Sequence, residues 1–195
     1  MKSLKELYRI GPGPSSSHTM GPQKACLEML KRCPNADHYR ADLYGSLAMT
    51  GKGHLSDQII IRTLAPRPVE VCFHMNEMKK HPNTLELHAF DAEDGLLETM
   101  TVYSVGGGVI EIEGEDAAVH APCYPHHTLD KIKAFCAAEH IGLNAYVDQF
   151  DDSDISSYLN EILIQMLKTV DAGLNASGIL PGRLKLERIA RSLLQ

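Results

Sequence analysis

Residues 69–89 read VEVCFHMNEMKKHPNTLELHA. Val69, Val71, Phe73 and Met75 alternate with Glu70, Cys72 and His74, the period of two that sends one set of side chains to a buried sheet face and the other set to the opposite face. Leu85, Leu87 and Ala89 alternate with Glu86 and His88 in the same way. A third strand is expected over residues 98–105, and Gly106, Gly107 and Gly108 interrupt what continues as residues 109–112. Three glycines in succession imply a bulge, a bend or close approach of backbone to something else. The links HMNEMKKHPN and DAEDG are short and rich in turn residues, so the strands are expected to be antiparallel neighbours.

Upstream, Cys26, Met29, Leu30 and Cys33 recur at 3–4 spacing before Pro34, which predicts a helix over 22–32. Pro22 falls in its first turn, where the missing N–H costs nothing. Residues 41–49 (ADLYGSLAM) read as a buried strand or short apolar segment. Ser56 is placed as the N-cap of a second helix, with Leu55 and Ile60 as a hydrophobic staple. Downstream, Leu129, Ile132, Phe135 and Cys136 predict a helix after Thr128 ending near Gly142. Ile155, Tyr158, Leu159, Ile162, Met166 and Val170 form the cleanest apolar stripe, with Asp154 or Ser153 as its cap. Leu184, Leu186, Ile189, Ala190, Leu193 and Leu194 begin a further amphipathic helix. The expected fold is α+β, helices packed on an antiparallel sheet over residues 1–152, followed by a helical extension over 153–195.

The 195 residues suit one packed domain plus an appendage. With 44% hydrophobic and 23% charged residues the composition is globular. No apolar run approaches the roughly 20 residues of a spanning helix, and the start MKSLKELYRIG does not resemble a signal peptide. A cytoplasmic protein with no membrane partner is expected. The net charge of -6 argues against nucleic acid as a partner. Five cysteines, Cys26, Cys33, Cys72, Cys123 and Cys136, form no Cys-x-x-Cys, so reduced, mostly buried thiols are expected rather than a metal or disulfide framework.

Two polar runs are candidates for chemistry. The first, IGPGPSSSHTMGP at 10–22, places Ser15, Ser16, Ser17, His18 and Thr19 directly before a helix start, where unpaired N–H groups and the helix dipole favour an anion. A stiff capped loop is the plainer alternative. The second, TGKGHLSD at 50–57, offers Thr50, Lys52, His54, Ser56 and Asp57 at the next helix start. It is not a phosphate-binding P-loop, since Gly45 lies one residue too far upstream and Gly53 stands where a hydroxyl residue is required. His126 and His127 after Cys123 suit a surface turn better than a metal site. His74, His88 and His120 are expected in strands or loops. The nucleophile elbow G-x-S-x-G is absent.

Taken together, IGPGPSSSHTMGP, YGSLAMTGKGHLSD at 44–57, SVGGGVI at 104–110 and GILPGRLKLERIA at 178–190 resemble the bacterial iron-sulfur L-serine dehydratases (L-serine ammonia-lyases). The resemblance runs nearly end to end. It implies a β domain similar to the allosteric substrate-binding domain of phosphoglycerate dehydrogenase, combined with an all-helical α domain or subunit that carries a [4Fe-4S] cluster. It further implies conversion of L-serine to pyruvate and ammonia, amino-acid degradation that feeds gluconeogenesis, and a homodimer. Carried onto this chain, Ser15, Ser16, Ser17, His18 and Thr19 would hold the substrate carboxylate or face the cluster. Lys52 and His54 would complete the pocket, His54 being the first choice for proton transfer, with His18 also catalytic and Ser56 supporting. Gly106 to Gly108 would let the sheet approach the partner domain.

The family's cluster ligands are cysteines of the α domain, and none of these five cysteines matches one. Arg183 also stands where a second glycine is expected. This chain alone is therefore expected to bind no cluster and to need the α domain for activity. A non-catalytic module that binds a small carboxylate for regulation is the alternative, and a structural dimerisation domain using the 184–194 stripe is a third.

Overall fold

The computed structural model describes residues 1–116, 121–180 and 185–194. His120, Arg183 and Leu184 lie outside the described residues. The chain divides into two compact units, one built on Gly11–Ala117 with Leu180–Leu186, the other on Met1–Ile10, Ala118–Ile179 and Glu187–Gln195.

The first unit is a five-stranded sheet with helices. In chain order it contains α1 (Met20–Arg32), β1 (His38–Tyr44), α2 (Gly45–Thr50), α3 (Ser56–Leu64), β2 (Val69–His74), β3 (Thr84–Phe90), β4 (Leu96–Gly106) and β5 (Val109–Ile112). The strand order is β2-β1-β3-β4-β5. The α+β class is as expected, and DAEDG joins the antiparallel neighbours β3 and β4. The link HMNEMKKHPN does not join neighbours. β2 runs parallel to β1, while β3 pairs antiparallel with the other edge of β1, so β1 separates the two strands that the short link suggested as a pair.

The segment that holds β1 was only half legible, because Gly45 divides residues 41–49 into two elements. Gly45 has φ +55, a left-handed conformation that turns the chain out of β1 and into α2. The Gly106–Gly108 turn, all three residues at positive φ, returns β4 into β5 with a register shift between Ser104 and Gly106.

The period of two does what it promised. Tyr39, Ala41 and Leu43 of β1, and Leu85, Leu87 and Ala89 of β3, are buried in one core with Met100 and Val102. Ala25, Cys26 and Met29 of α1, and Ile59, Ile60 and Leu64 of α3, join the same core. Each large side chain buried there contributes ~1.5–3 kcal/mol of transfer free energy, so the α1–α3 layer holds the loops at its helix starts firmly.

In the second unit, α4 (Leu129–Ala138) is capped as expected by the Thr128 hydroxyl, which accepts from Lys131 N–H at 3.3 Å. It ends before Gly142, and a separate α5 (Leu143–Phe150) follows, which the apolar spacing did not reveal. α6 (Ile155–Asn175) carries the expected stripe, with Asp154 at the cap position but making no side-chain cap bond. Only Ala190–Leu193 of the expected final helix is helical among the described residues. Asp151 anchors the unit. Its carboxylate accepts from the Ser3 hydroxyl at 2.5 Å, from Leu4 N–H at 2.9 Å and from the Tyr124 hydroxyl.

Candidate functional site

Within the sheet unit, three segments converge at the start of α1. The Ser15–Thr19 loop winds into the helix through His18 and Thr19 N–H groups donating to Ser15 O at 3.0 and 2.9 Å, and Gly21 N–H donating to Ser16 O at 2.9 Å. From β4, the Ser104 hydroxyl donates to Ser17 O at 2.8 Å. From the start of α3, the Ser56 hydroxyl donates to His18 O at 2.8 Å. Both serines are buried, so two hydroxyls pin the loop's backbone to the core. Gly21 allows the approach, since a side chain there would fall onto the Ser104 hydroxyl.

His18 lies at the centre and is buried. Its Nδ1 is 2.9 Å from Ser17 Oγ and 3.3 Å from Ser15 Oγ. Its Nε2 is 2.9 Å from Thr50 Oγ1 and 3.3 Å from Ser46 O. Burial lowers the proton affinity of the imidazole below its ordinary range; the Ser46 carbonyl opposes this and the neighbouring His54 adds to it. The His54 ring is tilted against it, with centroids 4.7 Å apart. Half-buried His54 is set there by a tight turn in which its N–H donates to Thr50 O and Gly51 O, both at 3.1 Å. The next residue, Leu55, has φ +64, a left-handed conformation costly for a side-chain-bearing residue.

Of the sequence candidates, His18, His54, Ser15, Ser17 and Ser56 therefore meet in one cluster. Ser56 is the first residue of α3 rather than its cap; Leu55 holds the cap position, and the Ser56 hydroxyl is spent on His18 O. Ser16 is half-buried beside the cluster. The Thr19 hydroxyl faces into the loop, bonded to Pro12 O and Ser15 O at 2.6 and 2.7 Å. Lys52 is exposed, with its ammonium 5.2 Å from the centre of the Phe73 ring. Thr50, part of the second polar run, joins the cluster at His18 Nε2. Sequence reasoning missed Ser46 and Ser104, because a backbone carbonyl and a hydroxyl reaching from a distant strand leave no sequence signal.

A second polar centre lies on the outer sheet face. Buried Asp42 receives Arg40 at 2.8 Å, His74 Nε2 at 2.6 Å and His88 Nε2 at 3.3 Å. Burial pushes its carboxyl up, and the hydrogen bonds from Arg40 and His74 outweigh that and hold it low. His126 hydrogen-bonds Tyr146 Oη at 3.0 Å inside an aromatic cluster of the helical unit.

Among the described residues no group of three His, Cys, Asp or Glu side chains could hold a metal ion. Among the described residues the side chains are therefore not grouped as an iron-sulfur cluster requires. Burial pushes the Cys26 thiol up to about 12 and raises Cys33, Cys72 and Cys123. No helix among the described residues is long and apolar enough to cross a membrane.

Fold and cluster define an α+β domain whose first helix starts at a hydroxyl-rich loop with a histidine pair. A family model described as serine dehydratase beta chain matches residues 3–71 and 67–115. The chain belongs to this family. It is 29% identical to L-serine dehydratase 1 of Escherichia coli K12 across 99% of this chain and 54% of that protein. It is 28% identical to an L-serine dehydratase of Haemophilus influenzae across 99% and 54%, and 31% identical to one of Streptomyces coelicolor across 96% and 53%. The chain spans about half the length of the curated relatives it matches.

Proposed function

We propose that this chain is the β portion of an L-serine dehydratase, which with an α portion converts L-serine to pyruvate and ammonia in the cytoplasm. The observation that carries this is the pairing of buried His18 with half-buried His54 beside Ser15 and Ser17 at a helix start, in a chain of the serine dehydratase beta family. Elimination of water from serine needs a base for a weakly acidic Cα proton and help for a poor leaving group. His54, less enclosed than His18, is the proton-transfer group. His18 is the neutral partner that orders the loop hydroxyls. Ser15, Ser16, Ser17 and Lys52 hold the substrate, with its carboxylate toward the start of α1; buried Thr19 braces that loop through Pro12 O and Ser15 O, and Ser56 supports it.

The complete enzyme carries a [4Fe-4S] cluster on cysteines of the α portion, and the binding and proton-transfer roles of this chain's own residues do not depend on it. Residues 1–152 form the β domain and 153–195 lead into the α portion. The assembled enzyme is a homodimer.

Calorimetric titration with L-serine tests this reading. Weak or no binding by the chain alone, and binding when an α-portion polypeptide is added, is the expected result. Tight binding by the chain alone, unchanged by the α portion, would favour a regulatory carboxylate-binding module instead.

A further inference from the structure

We propose that Thr50 is a positioning residue that fixes His18 as its Nε2–H tautomer and so makes the Ser17 hydroxyl the proton donor to Nδ1. The available protons decide the tautomer. The Thr50 hydroxyl has one, which on this proposal goes to Ser46 O, an acceptor at 2.8 Å. Toward His18 Nε2, 2.9 Å away, Thr50 Oγ1 therefore presents a lone pair. The second neighbour of Nε2 is Ser46 O at 3.3 Å, which can only accept. Both neighbours are acceptors, so Nε2 carries the proton.

In a neutral imidazole the other nitrogen is then bare. Burial of His18 favours that neutral form. Nδ1 accepts from Ser17 Oγ at 2.9 Å, with Ser15 Oγ at 3.3 Å from both atoms. With its proton drawn to Nδ1, Ser17 offers lone pairs to a ligand. Resting on the dehydratase reading, this makes Ser17 a contact for the ammonium or hydroxyl proton of an amino-acid substrate. The carboxylate is left to other donors of the loop.

The test is the two-bond ¹H–¹⁵N spectrum of the chain labelled with ¹⁵N-histidine, in which His18→Gln identifies the His18 signals and a bare and a protonated ring nitrogen give different shifts. The wild type should show bare Nδ1 and protonated Nε2. Thr50→Ser, which keeps the hydroxyl, should show the same pattern, and Thr50→Val should move it toward the opposite tautomer. A wild-type Nδ1–H tautomer, or a Thr50→Val spectrum identical to the wild type, would overturn the proposal. The spectrum needs no turnover, so the predicted tautomer in a chain that fails to support dehydration would refute the dehydratase reading and leave the role of Thr50 standing.

Discussion

The rings of His18 and His54 stand 4.7 Å apart at an interplanar angle of 53°, one histidine buried and the other half-buried. The His54 ring adds to the cost of a proton on His18, which burial already opposes. Because the folded protein holds this proton less tightly than the unfolded chain, protons favour unfolding. The stability that neutral His18 confers is fully present above its ordinary value of 6.5 and is lost as the pH falls through it. Urea midpoints compared at about pH 7.5 and about pH 5.5 should drop for the wild type, and the drop should be smaller for His18→Asn. Equal drops would show that His18 does not carry the effect.

Ser56→Ala removes the hydroxyl that meets His18 O and leaves that carbonyl without this partner in a buried site. A loss of ~1–3 kcal/mol is expected, measured by chemical denaturation. The loop at 15–19 should also exchange its amide protons faster than in the wild type.

Gly21→Ala drives a methyl group onto the side chain of Ser104, whose Cβ would lie only 2.9 Å away. Overpacking of this kind costs ~1–3 kcal/mol. Ser104→Gly in the same chain should recover part of the loss, because it removes the obstacle while still forfeiting the hydrogen bond to Ser17 O.

Asp151 belongs to the helical unit. Burial pushes its carboxyl up, but hydrogen bonds from Ser3, Tyr124 and the Leu4 and Asp152 N–H groups outweigh this and bring it down to about 2 from 3.8. The depressed value means that its contribution is present above 3.8 and is lost as the pH falls toward 2. That difference corresponds to about 2 kcal/mol. Asp151→Asn should lower stability at neutral pH by about this amount and flatten the acid limb of the unfolding profile.

Sheet and helices were legible where a period ran without interruption, as in the alternation at 84–90 and the apolar stripe of α6. Legibility failed where one residue changed the backbone. Gly45 split a segment that looked continuous, and His140, at φ +55, separates α4 from α5. Strand pairing failed for a different reason. The turn-rich link at 74–83 suggested a hairpin, but the core face of β1 fits between β2 and β3, and a long-range pairing leaves no local mark. At the site, the residue types were visible as two polar runs. Their approach was not, because it depends on Ser56 and Ser104 reaching backbone carbonyls far away in sequence. Nor did the sequence reveal that the exposed Lys52 ammonium lies over the Phe73 ring.

If this chain supplies one portion of an L-serine dehydratase, the other portion should restore activity to it. The decisive experiment combines it with an α-portion polypeptide under anaerobic reconstitution with iron and sulfide, and follows pyruvate formed from L-serine. Activity in the combination, absent from either polypeptide alone and reduced by roughly 100-fold or more in His54→Ala, is the predicted result. No pyruvate from the combination, while a full-length relative is active under the same conditions, would contradict it.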